Sequence, residues 1–178
     1  MPLPPPPGAP RAGLSIVPLA DLDAPDRELV ELAEASSRNA SAPYSRFQVG
    51  AALRSADGTV VTGCNVENAS YGLTYCAEVG AVMAAVQRRK LPIEAVAVYG
   101  RLGGPDAPGP RQGRPLLPCG RCRQVLAEMA LAGGRSFRII CSDPARGKAV
   151  VGSVSDFLPG ALEDGLLQAV GQSPAPAG

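Results

Sequence analysis

The chain of 178 residues contains no histidine and no tryptophan. Without an imidazole there is no Ser-His-Asp triad, no Cys-His dyad and no Cys2His2 finger, and the one side chain that ordinarily titrates near neutrality is missing. Any metal site must therefore be assembled from thiolates and carboxylates, and any proton carrier beside it must be a carboxylate. Other aromatics are scarce, three Phe and four Tyr, and the charge is flat, with 17 Lys+Arg against 16 Asp+Glu. A groove for nucleic acid needs clustered cations and stacking rings, so no nucleic-acid partner is expected. The cysteines are odd in number, five. Met1 to Gly13 carries six prolines and neither a charged start leading into an apolar run nor a membrane-length stretch. The expectation is a cytoplasmic protein without a membrane partner, whose grouped cysteines serve metal or catalysis before disulfides.

Proline and glycine are plentiful, 19 and 21, and they punctuate the chain. Residues 1–18 and 171–178 read as disordered tails, poor in bulky apolar side chains. Between them, residues 19–170 read as one domain. Apolar spacing predicts a helix over Asp26 to Ser41, ended by Pro43. A hairpin follows, Phe47–Arg54 and Thr59–Val66 around the turn signal Ala56-Asp57-Gly58. A buried helix covers Cys76 to Val86 and a strand Ile93 to Tyr99. A long Pro/Gly loop, 101–118, precedes a helix over Cys119 to Leu131. Phe137–Cys141 and Val150-Val151 complete five strands, and the region from Val154 to Val170 ends in a short helix. Strands alternating with helices give a layered α/β domain with helices on both faces of a central sheet.

Chemistry concentrates in two segments, Cys76-Ala77-Glu78 and, 43 residues on, Pro118-Cys119-Gly120-Arg121-Cys122. Cys119 and Cys122 alone are equally the pattern of a structural zinc knuckle or a redox pair. With Cys76 added, three thiolates leave one position of a tetrahedral metal open, which is the catalytic arrangement. Both groups fall at predicted helix N-termini, where free N–H groups and the helix dipole favour thiolates. Glu78 is not required as a ligand, and a carboxylate there is the proton carrier that a metal-activated water needs.

These segments, together with Pro43-Tyr44-Ser45-Arg46-Phe47, Val49-Gly50-Ala51-Ala52-Leu53 and Gly63-Cys64-Asn65-Val66-Glu67-Asn68-Ala69-Ser70-Tyr71-Gly72, resemble the cytidine deaminases of the small homotetrameric, nucleoside-acting type, from about Pro43 to Leu167. The resemblance implies a three-layer α/β/α sandwich with a central, mostly mixed five-stranded sheet. It implies Zn2+ on Cys76, Cys119 and Cys122, with Glu78 passing a proton from the attacking water to N3 of the pyrimidine and then serving the departing amine. It further implies ribose hydroxyls on Asn65 and Glu67, Phe47 near the nucleoside, the Ala77 backbone against the base, and Tyr71 available across a subunit boundary. The partners are then a small nucleoside and a homotetramer. The reaction is deamination of cytidine and 2′-deoxycytidine in pyrimidine salvage. Asn65 and Glu67 alternate along a predicted strand and so face one side, where an amide and a carboxylate suit sugar hydroxyls.

The chain departs from the family pattern twice. Val79 follows Glu78 where many members have an arginine that tempers thiolate charge. Arg121 or Arg123 is the candidate substitute. Leu162 occupies the place of an aromatic donated by a neighbouring subunit. Two other deaminase readings, of a different aminopyrimidine nucleoside and of polynucleotides, fit less well with the Asn65-Val66-Glu67-Asn68 block and the neutral, aromatic-poor composition. A non-catalytic zinc domain gives Glu78 no task.

Overall fold

Ala51 and Leu53 bury on one side of their strand while Ala52 between them buries on the other, the period-two pattern of a sheet covered on both faces. The computed structural model describes residues 13–102, 115–143 and 147–161. Six strands form one sheet: β1 (Ser15–Pro18), β2 (Phe47–Ser55), β3 (Val60–Cys64), β4 (Ile93–Leu102), β5 (Arg138–Ser142) and β6 (Lys148–Ser153), in the order β1-β6-β5-β4-β2-β3. β4 and β5 run parallel, and the other neighbours antiparallel. The helices are α1 (Ala24–Ser37), α2 (Ala77–Gln87), α3 (Gly120–Ala132) and the one-turn α4 (Val154–Phe157).

The expected five strands are thus six. Ser15–Pro18, assigned from sequence to the tail, is an edge strand with Ser15 opposite Val151 and Pro18 opposite Lys148. Four residues carry too little alternation to be read alone, and pairing with β6 supplies the order; a proline is tolerated at such an edge. α1 begins two residues earlier than expected, because the Asp23 side chain accepts from the Asp26 N–H at 2.9 Å and caps it. It ends at Ser37 rather than Ser41. Of the long loop, 101 and 102 belong to β4 and 103–114 lie outside the described residues, as do the tails at 1–12 and 171–178 and the predicted final helix beyond 161.

The layers are unevenly shared, so the even three-layer sandwich holds only loosely. One face carries α1 alone, with Leu29, Val30 and Ala33 against Ala52, Ala97 and Ile140. The other carries α2, α3 and α4, with Ala81, Leu126 and Phe157 against Leu53, Val98 and Ile139. Two strand glycines let helices sit close. A Cβ on Gly50 would lie 2.0 Å from the Ala33 carbonyl oxygen, and one on Gly63 would lie 2.3 Å from the Ala81 nitrogen and 2.5 Å from the Ala77 oxygen. Both β3 and β4 are antiparallel to β2, hence parallel to each other. The chain leaves each at the same end of the sheet, and it is there that α2 and α3 begin.

Candidate metal centre and active site

Cys76 is the N-cap of α2 and Cys119 the N-cap of α3, both with extended backbone and neither using its side chain as a cap. Cys122 lies one turn into α3. The three Sγ atoms all fall within 4.8 Å of one another, with Cys76 to Cys119 at 3.9 Å and Cys119 to Cys122 at 3.5 Å. Sulfurs at a Zn–S distance of about 2.3 Å in a tetrahedron sit about 3.8 Å apart, so this trio fits a zinc ion with its fourth position unfilled by protein. Cys122 is buried, Cys76 half-buried and Cys119 exposed, which opens the cluster on the Cys119 side. Without metal a hydrogen bond from Cys122 brings Cys76 down to about 6, and donating that bond pushes Cys122 up.

Glu78, in the first turn of α2, is only 4% exposed. Burial pushes its carboxyl above the usual carboxylate range, and its side-chain hydrogen-bond partner is Cys122. The carboxyl is therefore beside the sulfur cluster, and among the described residues no cation pairs with it. A buried carboxyl with a raised pKa and no counter-ion is suited to take up and release a proton.

β3 ends at Cys64, short of the predicted Val66, and the two residues read as a ribose pair lie just past it. Asn65 is buried, its Oδ1 accepting from the Val49 N–H at 2.8 Å and its Nδ2 donating to the Phe47 carbonyl at 2.9 Å. Glu67 accepts from the N–H groups of Tyr44 at 2.9 Å and Ser45 at 3.1 Å and from the Ser45 hydroxyl. The Ser45 hydroxyl bond is the first cause holding its carboxyl low. Both side chains thus turn to one stretch of chain, 44–49, as their alternation implies, but they already brace it. Each keeps spare capacity, one amide N–H on Asn65 and free lone pairs on both. Phe47 is half-buried, its ring against Gly100. Ala77 is fully buried at the first position of α2. Tyr71 is 75% exposed and meets Tyr44 edge-on, centroids 6.1 Å apart.

Of the two arginines considered for the thiolate charge, Arg123 donates Nε to the Pro118 carbonyl at 2.8 Å and Nη1 to Phe157 at 3.1 Å, joining α3 to α4. Arg121 turns to the other ligand segment, with Nη1 3.2 Å from the Thr74 carbonyl and its guanidinium 5.5 Å from the Tyr75 ring centre. Val79 is buried, and Leu162 lies outside the described residues. Sequence reading names Tyr44 and Ser45 only within a motif block and gives no task to Thr74 or Tyr75, because their contacts with Glu67 and Arg121 join parts distant along the chain. Gly63 had a signal, since an isolated glycine within a strand marks close backbone approach.

Residues 23–133 match the family model described as the cytidine and deoxycytidylate deaminase zinc-binding region. A cytidine deaminase of Halalkalibacterium halodurans is 41% identical over 138 residues, 77% of this chain and 94% of that protein. The crystal structure of cytidine deaminase from Burkholderia pseudomallei, 42% identical, superposes with a TM-score of 0.64 over 76% of this chain and 97% of that one. That of cytidine deaminase from Mycobacterium tuberculosis, 38% identical, gives 0.61 over 79% and 99%.

Proposed function

The chain belongs to the cytidine and deoxycytidylate deaminase family, and from that membership we propose that it is a zinc-dependent enzyme converting cytidine and 2′-deoxycytidine, with water, to uridine and 2′-deoxyuridine plus ammonia, as a step of pyrimidine salvage. The observation that carries the reading is the buried Glu78 carboxyl hydrogen-bonded into a three-sulfur cluster at two converging helix N-termini. Zn2+ held by Cys76, Cys119 and Cys122 would supply a Lewis acid that lowers the pKa of a water at its open position.

The remaining work falls to the chain's own groups. Glu78 takes one proton of the attacking water and delivers it to N3 as the C4–O bond forms, then takes the remaining proton from the new C4 hydroxyl and passes it to the amine as the C4–N bond breaks, leaving the C4 carbonyl and ammonia. Its burial supports this, because a carboxyl held above its ordinary pKa is a better proton acceptor than an exposed one. Asn65 and Glu67 hold the ribose hydroxyls with their spare donor and acceptor sites, Phe47 packs near the nucleoside, and the Ala77 backbone meets the base. Tyr71 extends toward a neighbouring subunit of a homotetramer. The exposed Tyr44, Val66, Tyr71, Leu73 and Tyr75 support such a contact, since apolar side chains grouped in one segment favour a covering partner. All five cysteines are free, which supports a reducing compartment, the cytoplasm. Among the described residues no helix is long and apolar enough to cross a membrane.

The test is the fall in cytidine absorbance with matching ammonia release, repeated after a chelator has stripped the metal and again after zinc is restored. Activity that disappears and returns with zinc supports the reading. Purified, zinc-loaded protein that leaves cytidine and deoxycytidine unchanged overturns it.

A further inference from the structure

We propose that Arg121 is a positioning residue of the metal centre, tying the segment that ends in Cys76 to the helix turn that carries Cys119 and Cys122. The inference rests on the metal-site reading above. Cys119 and Cys122 are placed relative to each other by one turn of α3. Cys76 arrives from 43 residues earlier, at the end of a loop, and nothing covalent nearby holds it to α3.

The approach of Cys76 is built in two steps. Tyr75 pairs with Val66 through both backbone bonds, 2.9 and 3.0 Å, and the Asn68 N–H reaches the Thr74 hydroxyl at 3.2 Å. This makes the Thr74-Tyr75 segment a firm handle on the loop side. Arg121, flanked on α3 by the two other ligands, then grips the handle at two points: a hydrogen bond to the Thr74 carbonyl and a guanidinium over the Tyr75 ring. A planar guanidinium holds both contacts in one rigid group, whereas an ammonium is a compact, strongly hydrated charge on a flexible stem and fixes the pair less well. The same contact carries a positive charge to the cluster, where three thiolates around a divalent ion leave a net negative charge. Arg123 is turned to the Pro118 and Phe157 carbonyls instead, and Val79 has no charge to offer. Groups that hold metal ligands in place typically alter metal affinity by about 10–100-fold when removed.

The experiment follows zinc rather than turnover. Wild type, Arg121→Gln, Arg121→Lys and Tyr75→Leu are purified with zinc, the metal content is measured, and transfer of zinc to a chromogenic chelator is timed. The absorption of the cobalt-substituted proteins is recorded alongside. Arg121→Gln is expected to hold one zinc per chain but release it about tenfold faster, with shifted thiolate-to-cobalt bands. Tyr75→Leu lies between it and the wild type, and Arg121→Lys recovers only part of the loss. Release from Arg121→Gln at the wild-type rate overturns the proposal. So does full rescue by Arg121→Lys with no effect of Tyr75→Leu, which would leave charge as the whole contribution. A wild-type chain without zinc overturns the metal-site reading itself, and is seen in the first measurement before any variant is compared.

Discussion

Asp26 and Glu78 are buried on opposite faces of the sheet, and the two carboxylates are treated oppositely. On the α1 face Asp26 is fully buried and accepts from Arg54 at 2.9 Å and Arg138 at 2.6 Å, with Arg54 also meeting Glu94 at 3.0 Å. On the α2 and α3 face Glu78 is almost as deeply buried, yet its neighbours are thiols and no cation among the described residues pairs with it. A carboxyl in a low-dielectric interior is either given counter-ions or left without them and so free to protonate. The first arrangement stabilises a fold. The second, placed beside a cluster of metal-binding type, is suited to moving protons.

Replacing each carboxylate by its amide separates the two roles. Glu78→Gln removes the proposed proton carrier while keeping shape, and is expected to lower the rate of cytidine deamination by about 10²–10⁴-fold, the usual contribution of general acid–base catalysis. Zinc content should stay at the wild-type level and the Tm should not fall, since no ion pair is lost. Ammonia release, metal analysis and a melting curve on one preparation read all three. Turnover near the wild-type rate would break the contrast at once.

Asp26→Asn should do the reverse. It leaves Arg54 and Arg138 facing an amide and is expected to cost about 3 kcal/mol, as breaking a buried ion pair does, which for a domain of this size is a Tm drop of roughly 10 °C. Below the melting range kcat/KM for cytidine should be unchanged. A loss of kcat with unaltered stability would show that the α1 face also serves the chemistry.

How legible each region was from sequence follows from the range of its interactions. The thiol site is written locally: each of the three cysteines sits within three residues of a helix start, and Glu78 within two residues of Cys76, so short spacings bring the cluster out. Four of the expected strands kept close to their bounds for the same reason. The ion network joins Asp26 to Arg138 across 112 residues, and no pattern along the chain announces such a partner. β1 was missed because its order comes from pairing with β6, and the Arg121 contact because Thr74 and Tyr75 are brought to it by the Val66 bridge. Asn65 and Glu67 stand out along the chain as an alternating pair, but their bracing of residues 44–49 does not, since an alternating pair shows which side it faces and not what already occupies its donors and acceptors.

The thiols themselves offer a sharper probe of the functional face. In the metal-stripped protein Cys76 is held down at about 6 by its hydrogen bond from Cys122, while complete burial pushes Cys141 far above the ordinary thiol range. Alkylation by iodoacetamide should therefore show a thiolate at Cys76 that fills as pH rises from 5 to 7, with peptide mapping placing the label there and not on Cys141. Restoring zinc should suppress it. A Cys76 label that grows only near pH 9, as for an unperturbed thiol, would show that the hydrogen bond from Cys122 does not hold Cys76 down.

The smallest effect belongs to a third arrangement, a carboxylate that is paired but exposed. Asp57, in the β2–β3 turn, meets Lys90 at 2.7 Å and accepts from the Thr59 N–H at 2.9 Å. The Lys90 bond first, then the Thr59 bond, lower its carboxyl to about 2. A depressed folded-state pKa adds stability above the unfolded value, near 4, and loses it as pH falls through the folded one. Solvent screens both partners, so Asp57→Asn should lower the Tm only slightly at pH 7, and less in high salt. The difference from wild type should shrink below pH 4 and vanish near pH 2. By contrast the Asp26→Asn deficit should depend less on salt at pH 7, because Asp26 is fully buried and its partner Arg54 only 16% exposed, even though Arg138 is half-exposed. Equal salt sensitivity in the two variants would mean that burial is not what distinguishes them, and the contrast between the faces would then rest on the partners alone.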